Sequence, residues 1–394
     1  MFYLGDGQYG IPLLQFLTYP ANLIMRMKVI TFCITSVLCT SVIPVLNILF
    51  VPDINAVEWK SKEFLYNMDL VDGWVSGVLY RTGISTDSEQ VIVGRDRWLF
   101  LGDKYEHGLS ADRSLPSDTD ILHGQYIGAA SKAWDSYFSN KGVKLYRVML
   151  VPNKGAIYPE YLPHWAVPSH PNPTDALMAG TGYANYIDLR QPLLSAKERQ
   201  AVALYYKTDS HWNMLGAAIA FHAFAEQIGK CVPELRWPSE NMYELVRTEK
   251  KNGGDLAKFL RITEYVHDAE PHVRISDSPV ETSEYDYNTN QLLHQGGFPT
   301  LGATAKPVLV KSQGALNNKK VLWLRDSTGN ALAPWMAVTF SDVLQLSWIT
   351  ATSDSLLMTR LIGKWKPDYV IYTVVERDSK VANFAHMPPT DDDS

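Results

Sequence analysis

Asp209 and His211 are the residues of this chain whose types and spacing most directly indicate chemistry. They lie in the segment 207–213, which reads KTDSHWN and is typical of an exposed turn before a helix. A carboxylate close to an imidazole can hold that ring in one tautomer and stabilise its charged form. The pair therefore predicts a general-base unit, and such a unit needs a nucleophile.

Ser327 is the candidate nucleophile because it follows an apolar run that predicts a strand and precedes a helix-compatible segment. A serine hydroxyl attacks an acyl carbonyl only when a base lies within reach and a partner orients that base. We expect Ser327 to attack an acyl ester, His211 to take its proton and Asp209 to orient His211. We expect the backbone N–H of Ser327 to be one oxyanion donor. Candidates for the second donor are Asn330, Asn153 and Lys154.

Other interpretations of these residues remain open at the level of sequence. Asp209 can serve only as the N-cap of the following helix, and Asp326 can replace it as the partner of the base. A further hypothesis is a zinc site, although the i, i+4 histidine pair of metalloproteases is missing. Its ligands would be Asp209, His211, His222 and Glu226. Because the metalloprotease spacing is missing, we predict neither a metal nor a cofactor.

The run 29–51 is uncharged and apolar over about 23 residues, enough to cross a hydrocarbon core of roughly 30 Å. Arg26 and Lys28 precede it, and a basic flank predicts a cytoplasmic N-terminal side with the rest exported. A cleaved signal peptide would have a shorter apolar region and a small-residue cleavage site. We expect a single-pass anchor in the inner or plasma membrane, behind a cytoplasmic leader at 1–28.

Bulk composition indicates a globular protein. The chain has 394 residues, of which 46% are hydrophobic and 20% charged, enough for a sizeable core. The net charge of −6 and the lack of a basic run argue against nucleic-acid binding. Two of the three cysteines, Cys33 and Cys39, fall in the apolar run. The cysteines therefore predict no disulfide framework.

Strands alternating with helices in the last third predict a parallel sheet with right-handed crossovers. Ligands bind at the carboxyl ends of such strands, where Ser327 falls. Predicted strands are 145–151, 186–188, 320–325, 343–348 and 369–375, and a hairpin spans 91–101. Predicted helices are 119–140, 212–229, 330–340 and 354–364, with loops at 164–174 and 178–183. The expected domains are a stalk and first helix at 52–88, a catalytic domain at 89–380 with a loop-rich insertion at 236–300, and an acidic tail at 381–394.

Several motifs together resemble the alginate O-acetyltransferase group of SGNH-hydrolase-like proteins. TDSHWN at 208–213 is similar to the Asp-x-His-Trp motif of that group. Further similar pieces follow in order: GRDRWLF at 94–100, PNK at 152–154, YPE at 158–160, GGDLA at 253–257 and RDS at 325–327. The resemblance implies a three-layer α/β sandwich with a central parallel sheet and a permuted motif order, in which Asp209 and His211 precede Ser327. Substrate-binding candidates within these motifs are Tyr158, Arg325 and Trp212.

The resemblance also implies a function. It suggests a periplasmic or otherwise extracytoplasmic enzyme that moves acetyl groups onto hydroxyls of an exopolysaccharide. A multi-span membrane acyltransferase would be the partner that supplies acyl groups. Arg325 and Asp326 stand where alginate-specific members carry a Gly-Thr-Ser-like turn, so the polymer need not be alginate. Two alternatives stay open: a carbohydrate acetylesterase with the same triad, and a non-catalytic scaffold of a polysaccharide biosynthesis or export complex.

Overall fold

The computed structural model describes residues 15–50, 60–275, 280–299, 302 and 304–389 of the chain. These residues divide into two units, Met1–Val75 and Ser76–Ser394. Parts of the predicted leader, stalk and tail, and the last residue of the predicted anchor, lie outside the described residues, namely 1–14, 51–59 and 390–394.

The helices and strands are numbered in chain order. The α-helices are α1 (Gln15–Phe50), α2 (Lys62–Leu65), α3 (Asp69–Arg81), α4 (Gly108–Asp112), α5 (Asp118–Asn140), α6 (Lys154–Ile157), α7 (Pro173–Thr181), α8 (Arg190–Lys197), α9 (Met214–Cys231), α10 (Asp255–Phe259), α11 (Ala333–Thr339), α12 (Trp348–Ser353) and α13 (Ser355–Trp365). The strands are β1 (Val91–Val93), β2 (Leu99–Leu101), β3 (Leu145–Val151), β4 (Tyr186–Asp188), β5 (Leu245–Asn252), β6 (His267–Val273), β7 (Glu281–Asp286), β8 (Leu292–Gln295), β9 (Val308–Gln313), β10 (Asn317–Arg325), β11 (Phe340–Ser347) and β12 (Tyr369–Val375).

The first unit is dominated by α1, whose apolar part runs from Leu23 to Phe50. Among the described residues it is the one helix long and apolar enough to cross a membrane, and it is compatible with an anchor. The helix is longer than the predicted 29–51 run, and it continues through Pro44 without a break. Near its end the Asn47 side chain donates to the carbonyls of Phe64, Leu65 and Asn67, which fixes the turn at α2.

The second unit is built on an eight-stranded sheet with the order β4-β3-β12-β10-β11-β9-β7-β8. The strands from β4 to β11 are parallel to their neighbours, whereas β9, β7 and β8 pair antiparallel. The predicted α/β architecture around a central sheet is confirmed. The sheet is mixed rather than wholly parallel, because β7, β8 and β9 extend it at one side.

Helices cover both faces of this sheet, because its central strands bury both sets of side chains. On β3, Val148 and Leu150 belong to the cluster packed with α5 and α13, and Met149 belongs to the cluster packed with α9 and α11. Successive side chains of a strand point to opposite faces. A strand buried on both faces therefore reads as a continuous apolar run, and all seven residues of β12 are buried.

The carboxyl ends of the central parallel strands meet at one edge of the sheet. Arg325 on β10 pairs with Thr373 on β12, and Val375 on β12 pairs with Val151 on β3. The segments that follow these strands must therefore lie side by side. Ser327, two residues beyond β10, is held at this edge.

Two segments differ from the predicted loops. Residues 178–183 were expected to be a loop, but α7 runs to Thr181. It begins with a capping box, in which the Asn172 side chain accepts from the N–H groups of Thr174 and Asp175, and Pro173 occupies its first turn. The expected loop-rich insertion at 236–300 instead carries α10 and four strands, and β7 and β8 belong to the central sheet.

Candidate active site

Ser327, His211 and Asp209 form a hydrogen-bonded chain at the carboxyl edge of the sheet. The Ser327 Oγ lies 2.8 Å from His211 Nε2, and His211 Nδ1 lies 2.6 Å from Asp209 Oδ1. The His211 backbone N–H also donates to Asp209 Oδ1 at 2.9 Å. An Nδ1–H directed at the carboxylate leaves the Nε2 lone pair facing the serine hydroxyl. This is the arrangement that a proton transfer from serine to histidine requires.

The side chain of Lys154 holds the turn that carries Asp209. The ammonium Nζ donates to the carbonyls of Leu99 at 2.6 Å, Lys207 at 2.9 Å and Asp209 at 3.0 Å. These bonds use all three of its N–H donors. Burial lowers the pKa of Lys154 to about 7, although nearby carboxylates favour its charged form. Lys154 therefore supports the turn and has no donor left for an oxyanion.

Asp268, on β6, holds the same turn from the other side. Its carboxylate accepts from Thr208 N at 3.0 Å and from Thr208 Oγ1 at 2.5 Å. The Thr208 carbonyl in turn accepts from the N–H of Ala257 on α10 at 3.1 Å. Because these buried polar groups are satisfied by one another, the turn has little freedom to rearrange.

Asp326 holds the segment that carries Ser327 against the sheet. Its Oδ1 accepts from Thr328 N at 2.8 Å, and its Oδ2 accepts from Val375 N at 2.9 Å, at the end of β12. Both oxygens are therefore engaged away from the imidazole. Asp209, and not Asp326, is the carboxylate that contacts His211 Nδ1.

Trp212 joins the two halves of the site. Its side chain is 1% exposed, and its Nε1 donates to the carbonyl of Thr328 at 2.9 Å. The bond links the residue after His211 to the residue after Ser327. Trp212 was a candidate for substrate binding, but a buried ring offers no face to a sugar. Trp212 is therefore a structural strut between the segments that carry His211 and Ser327.

Asp209 is not the cap of the following helix. The N-cap of α9 is Asn213, whose Oδ1 accepts from the N–H groups of Leu215 and Gly216. The carboxylate of Asp209 is thus left for His211 and for one further donor, the Asp255 N–H at 3.0 Å.

Two other candidates for substrate contact are buried structural residues. Tyr158 is 4% exposed, and its hydroxyl accepts from the N–H of Leu204 at 2.8 Å. Arg325 is fully buried, and its guanidinium donates to Gln345 at 3.0 Å and to Asn330 at 2.6 Å. Neither side chain reaches the surface where a substrate would lie.

The remaining two candidates have accessible positions. Asn330 is exposed near Ser327, and Arg325 occupies its Oδ1, which leaves its Nδ2 to donate. Asn153 lines a cleft together with Ser210 and Arg377, and its Nδ2 donates to Asp112 at 3.1 Å. Burial, reinforced by the charge of Glu376, raises the pKa of Asp112 to about 8.

The peptide N–H groups after Arg325 show where an oxyanion would find a donor. The N–H groups of Thr328 and Gly329 both bond to Asp326. Among the described residues, the N–H of Ser327 is left without such a partner. A tetrahedral oxyanion on an acyl group bound to Ser327 would lie within reach of this donor.

The electrostatics of the site favour a basic imidazole. Burial opposes the charged ring, but the hydrogen bond and charge of Asp209, with the charges of Asp255 and Asp326, outweigh it and raise the pKa of His211. For Asp209, burial is likewise outweighed by its bonds to His211 and to the Asp255 N–H, which lower its pKa. A base with a raised pKa accepts a proton readily and still returns it near neutral pH.

Asp255 and Gly254 are site residues that the sequence motifs alone did not assign. Asp255 accepts from Ser210 N at 2.7 Å and from Ser210 Oγ at 2.5 Å. A Cβ added to Gly254 would lie 2.2 Å from Asp209 Oδ2, so only glycine permits this close approach. The GGDLA motif at 253–257 was the available signal, although spacing alone could not attach it to Asp209.

The zinc hypothesis grouped residues that the structure separates. His222 and Glu226 line a groove with Arg199 and Tyr243, whereas the two ring nitrogens of His211 face Asp209 and Ser327. Within the part of the chain that the structure describes, the groups that could reach one cation together are Asp209, His211 and Asp255, whose ligand atoms lie within 4.8 Å of one another. In the structure these atoms bond to one another and to neighbouring N–H and O–H groups.

Comparison with known proteins places this chain in a family. Residues 91–310 match the family described as "SGNH hydrolase-like domain, acetyltransferase AlgX". A relative from Pseudomonas fluorescens, "Probable alginate O-acetylase AlgJ", is 30% identical over 173 residues. That match covers 43% of this chain and 41% of the relative, so the chain spans about two fifths of the relative's length.

Solved structures share the fold. A DHHW family protein from Eubacterium siraeum superposes with a TM-score of 0.51 at 18% identity, covering 76% of this chain and 94% of that protein. PatB1 from Bacillus cereus, solved with a sulfonyl adduct, gives a TM-score of 0.53 at 14% identity and covers 75% and 97%. At these identities the likeness establishes the architecture of the sheet and its helices.

Proposed function

This chain belongs to the AlgX family of SGNH hydrolase-like acetyltransferase domains, and from that premise we propose that it is a membrane-anchored O-acetyltransferase of an exopolysaccharide. Ser327 is the nucleophile, His211 the general base and Asp209 its orienting partner. The observation that carries the proposal is the 2.8 Å contact between Ser327 Oγ and His211 Nε2, across 116 residues of sequence. Ser327 lies just beyond β10, and Lys154, just beyond β3, holds the turn of Asp209 and His211 beside it.

The reaction runs in two halves. In the first, Ser327 Oγ attacks the carbonyl carbon of an acetyl donor while His211 Nε2 takes the hydroxyl proton. The bond from that carbon to the donor's leaving group breaks, and His211 returns the proton to the leaving group. The products are an acetyl-serine ester and the free donor group.

In the second half, a sugar hydroxyl attacks the acetyl-serine carbonyl and His211 takes its proton. The bond to Ser327 Oγ breaks, and the proton passes to the serine. In both halves Asp209 stabilises the imidazolium. The Ser327 N–H binds the oxyanion, and the exposed amide of Asn330 is the proposed second donor.

The apolar helix supports the proposed location. Arg26 and Lys28 lie just before the uncharged run 29–51 of this helix, which favours a cytoplasmic leader and an extracytoplasmic catalytic unit. Acetyl groups made in the cytoplasm must then cross the membrane to reach Ser327. A multi-span membrane acyltransferase is the kind of partner that could deliver them.

Acyl transfer from p-nitrophenyl acetate to oligosaccharides tests the proposal. We expect the anchored protein to produce acetylated oligosaccharide, detected by mass spectrometry, and Ser327→Ala to lower donor turnover by about 10⁴-fold or more. Release of free acetate with every acceptor would instead assign an acetylesterase, for which the exposed Ser327 is accessible to water. If donor turnover is unchanged in Ser327→Ala, the serine is not the nucleophile and the scaffold hypothesis is favoured.

A further inference from the structure

Asp255, at the start of α10, places a second carboxylate against the histidine. Its Oδ2 lies 3.4 Å from His211 Nδ1, on the same ring nitrogen that Asp209 contacts at 2.6 Å. The same oxygen accepts from Ser210 Oγ at 2.5 Å, and Oδ1 accepts from Ser210 N at 2.7 Å. Asp255 therefore clamps the residue that separates Asp209 from His211.

The backbone of Asp255 contacts the other carboxylate. Its N–H donates to Asp209 Oδ2 at 3.0 Å, while Asp209 Oδ1 accepts from the ring and backbone of His211. Both oxygens of Asp209 are thus fixed by donors. The close approach depends on Gly254, where a Cβ would overlap the Asp209 side chain. A single residue, Asp255, orients Asp209 through its main chain and Ser210 through its side chain.

Carboxylates from three parts of the unit lie near the histidine. Asp209 lies in the turn, Asp255 on α10 and Asp326 after β10, and each favours the imidazolium. Lys154, on α6, is directed at the carbonyl of Asp209 and not at the ring. Burial and the charge of Asp209 raise the pKa of Asp255, as expected for two carboxylates that share one imidazole.

We propose that Asp255 is a positioning residue that makes the base a histidine between two carboxylates, with Asp209 orienting the ring and Asp255 adding a second charge that stabilises the imidazolium. The inference rests on the proposed function of Ser327 and His211. It goes beyond a Ser–His–Asp triad, because it gives a residue 46 positions after Asp209 a share in the basicity of the histidine.

The pH profile of kcat/KM for p-nitrophenyl acetate, measured on the full chain in detergent micelles, tests the role of Asp255. We expect Asp255→Asn to lower the plateau about tenfold, the effect of losing about 1.4 kcal/mol. Because a negative charge beside His211 is lost, the ring should lose its proton at lower pH. The acid limb should therefore move to lower pH than in the wild type.

Two further variants separate charge from shape. Asp255→Glu keeps the charge and should hold the acid limb at its wild-type position. Ser210→Ala removes the hydroxyl contact but keeps the Asp255 charge, and it should also leave the limb in place. Two results for Asp255→Asn would overturn the proposal. One is a lower rate with the acid limb at its wild-type pH, and the other is an undiminished rate. Should Asp255→Asn fail to fold, a displaced limb in Asp255→Glu, which keeps the charge, would overturn the proposal instead.

Failure of the proposed function would look different. Undiminished hydrolysis by Ser327→Ala would remove the role of the serine itself, whatever the Asp255 variants do. A loss in Ser327→Ala combined with an unmoved limb in Asp255→Asn would keep the triad and reject only the second carboxylate. The same preparations and the same assay distinguish the two outcomes.

Discussion

Gly254→Ala probes the packing behind the base with a single methyl group. The added Cβ would lie 2.2 Å from Asp209 Oδ2 and 2.3 Å from Asp209 Cβ. Ordinary contact begins at 3.4 Å, so the Asp209 side chain must retreat by about 1.2 Å, the difference between 3.4 Å and 2.2 Å. The backbone of Gly254 has φ −83°, which alanine adopts, and the effect is therefore purely steric.

The retreat should cost more activity than stability. Overpacking of this kind typically costs about 1–3 kcal/mol, which corresponds to a fall in Tm of about 1.5–4.5 °C for a unit of this size. Displacing an orienting group by about 1 Å can lower catalysis about 10²-fold. We therefore expect kcat/KM for p-nitrophenyl acetate to fall about 100-fold while the protein remains folded at 25 °C.

Gly363→Ala is the matched control. Gly363 lies in α13, is exposed, and has no heavy atom within 4 Å of an added Cβ. The same substitution there should stabilise the helix by about 0.5–1 kcal/mol and leave hydrolysis unchanged. Wild-type kcat/KM in Gly254→Ala would refute the claim that this glycine sets the position of Asp209.

Two further predictions concern His211 and Trp212. The acid limb of hydrolysis should lie above pH 6.5, because neighbouring carboxylates raise the pKa of His211 and only the neutral ring accepts a proton. Asp209→Asn should move that limb to lower pH and reduce the rate; a limb that stays in place would contradict the assignment. Trp212→Phe keeps a buried ring but loses the bond to Thr328 O, so thermal unfolding should report a loss of about 1–3 kcal/mol. An unchanged Tm would show that the strut contributes nothing to stability.

Much of the central sheet was predictable because its strands have strong local signals. β3 and β12 were predicted with the bounds that the structure shows, 145–151 and 369–375, and the hairpin at 91–101 was also confirmed. A short apolar and β-branched run of this kind is readily recognised as a strand that is buried on both faces. The start of the helix α5 was predicted to within one residue, because its apolar residues follow a helical period over a long segment.

The errors came from segments whose structure depends on distant partners or on caps. The strand β5 is exposed along its whole length and reads LVRTEKKN, so its pairing with β6 leaves no apolar signature. The helix α7 was taken for a loop because glycines and prolines surround it. Asn172, Pro173 and Asp175 nevertheless form a recognisable start signal, which outweighs the glycines.

The candidate site was partly accessible from sequence for chemical reasons. A serine nucleophile needs a base, and a base needs an orienting group, so the residue types alone allowed Ser327, His211 and Asp209 to be grouped. Trp212, Tyr158, Arg325 and Lys154 were predicted to contact substrate or oxyanion, but all four are buried and hold the framework of the site. Burial is a tertiary property, and it decides whether a polar side chain meets a ligand or a neighbour.

Covalent labelling tests the central claim most directly. The full chain is treated with a sulfonyl fluoride or phosphonate, digested, and mapped by mass spectrometry. We predict one modified peptide carrying the adduct on Ser327, strongly slowed labelling in His211→Ala, and no adduct at this position in Ser327→Ala. Equal labelling of the wild type and His211→Ala, or an adduct on another serine together with full hydrolysis by Ser327→Ala, would contradict the account.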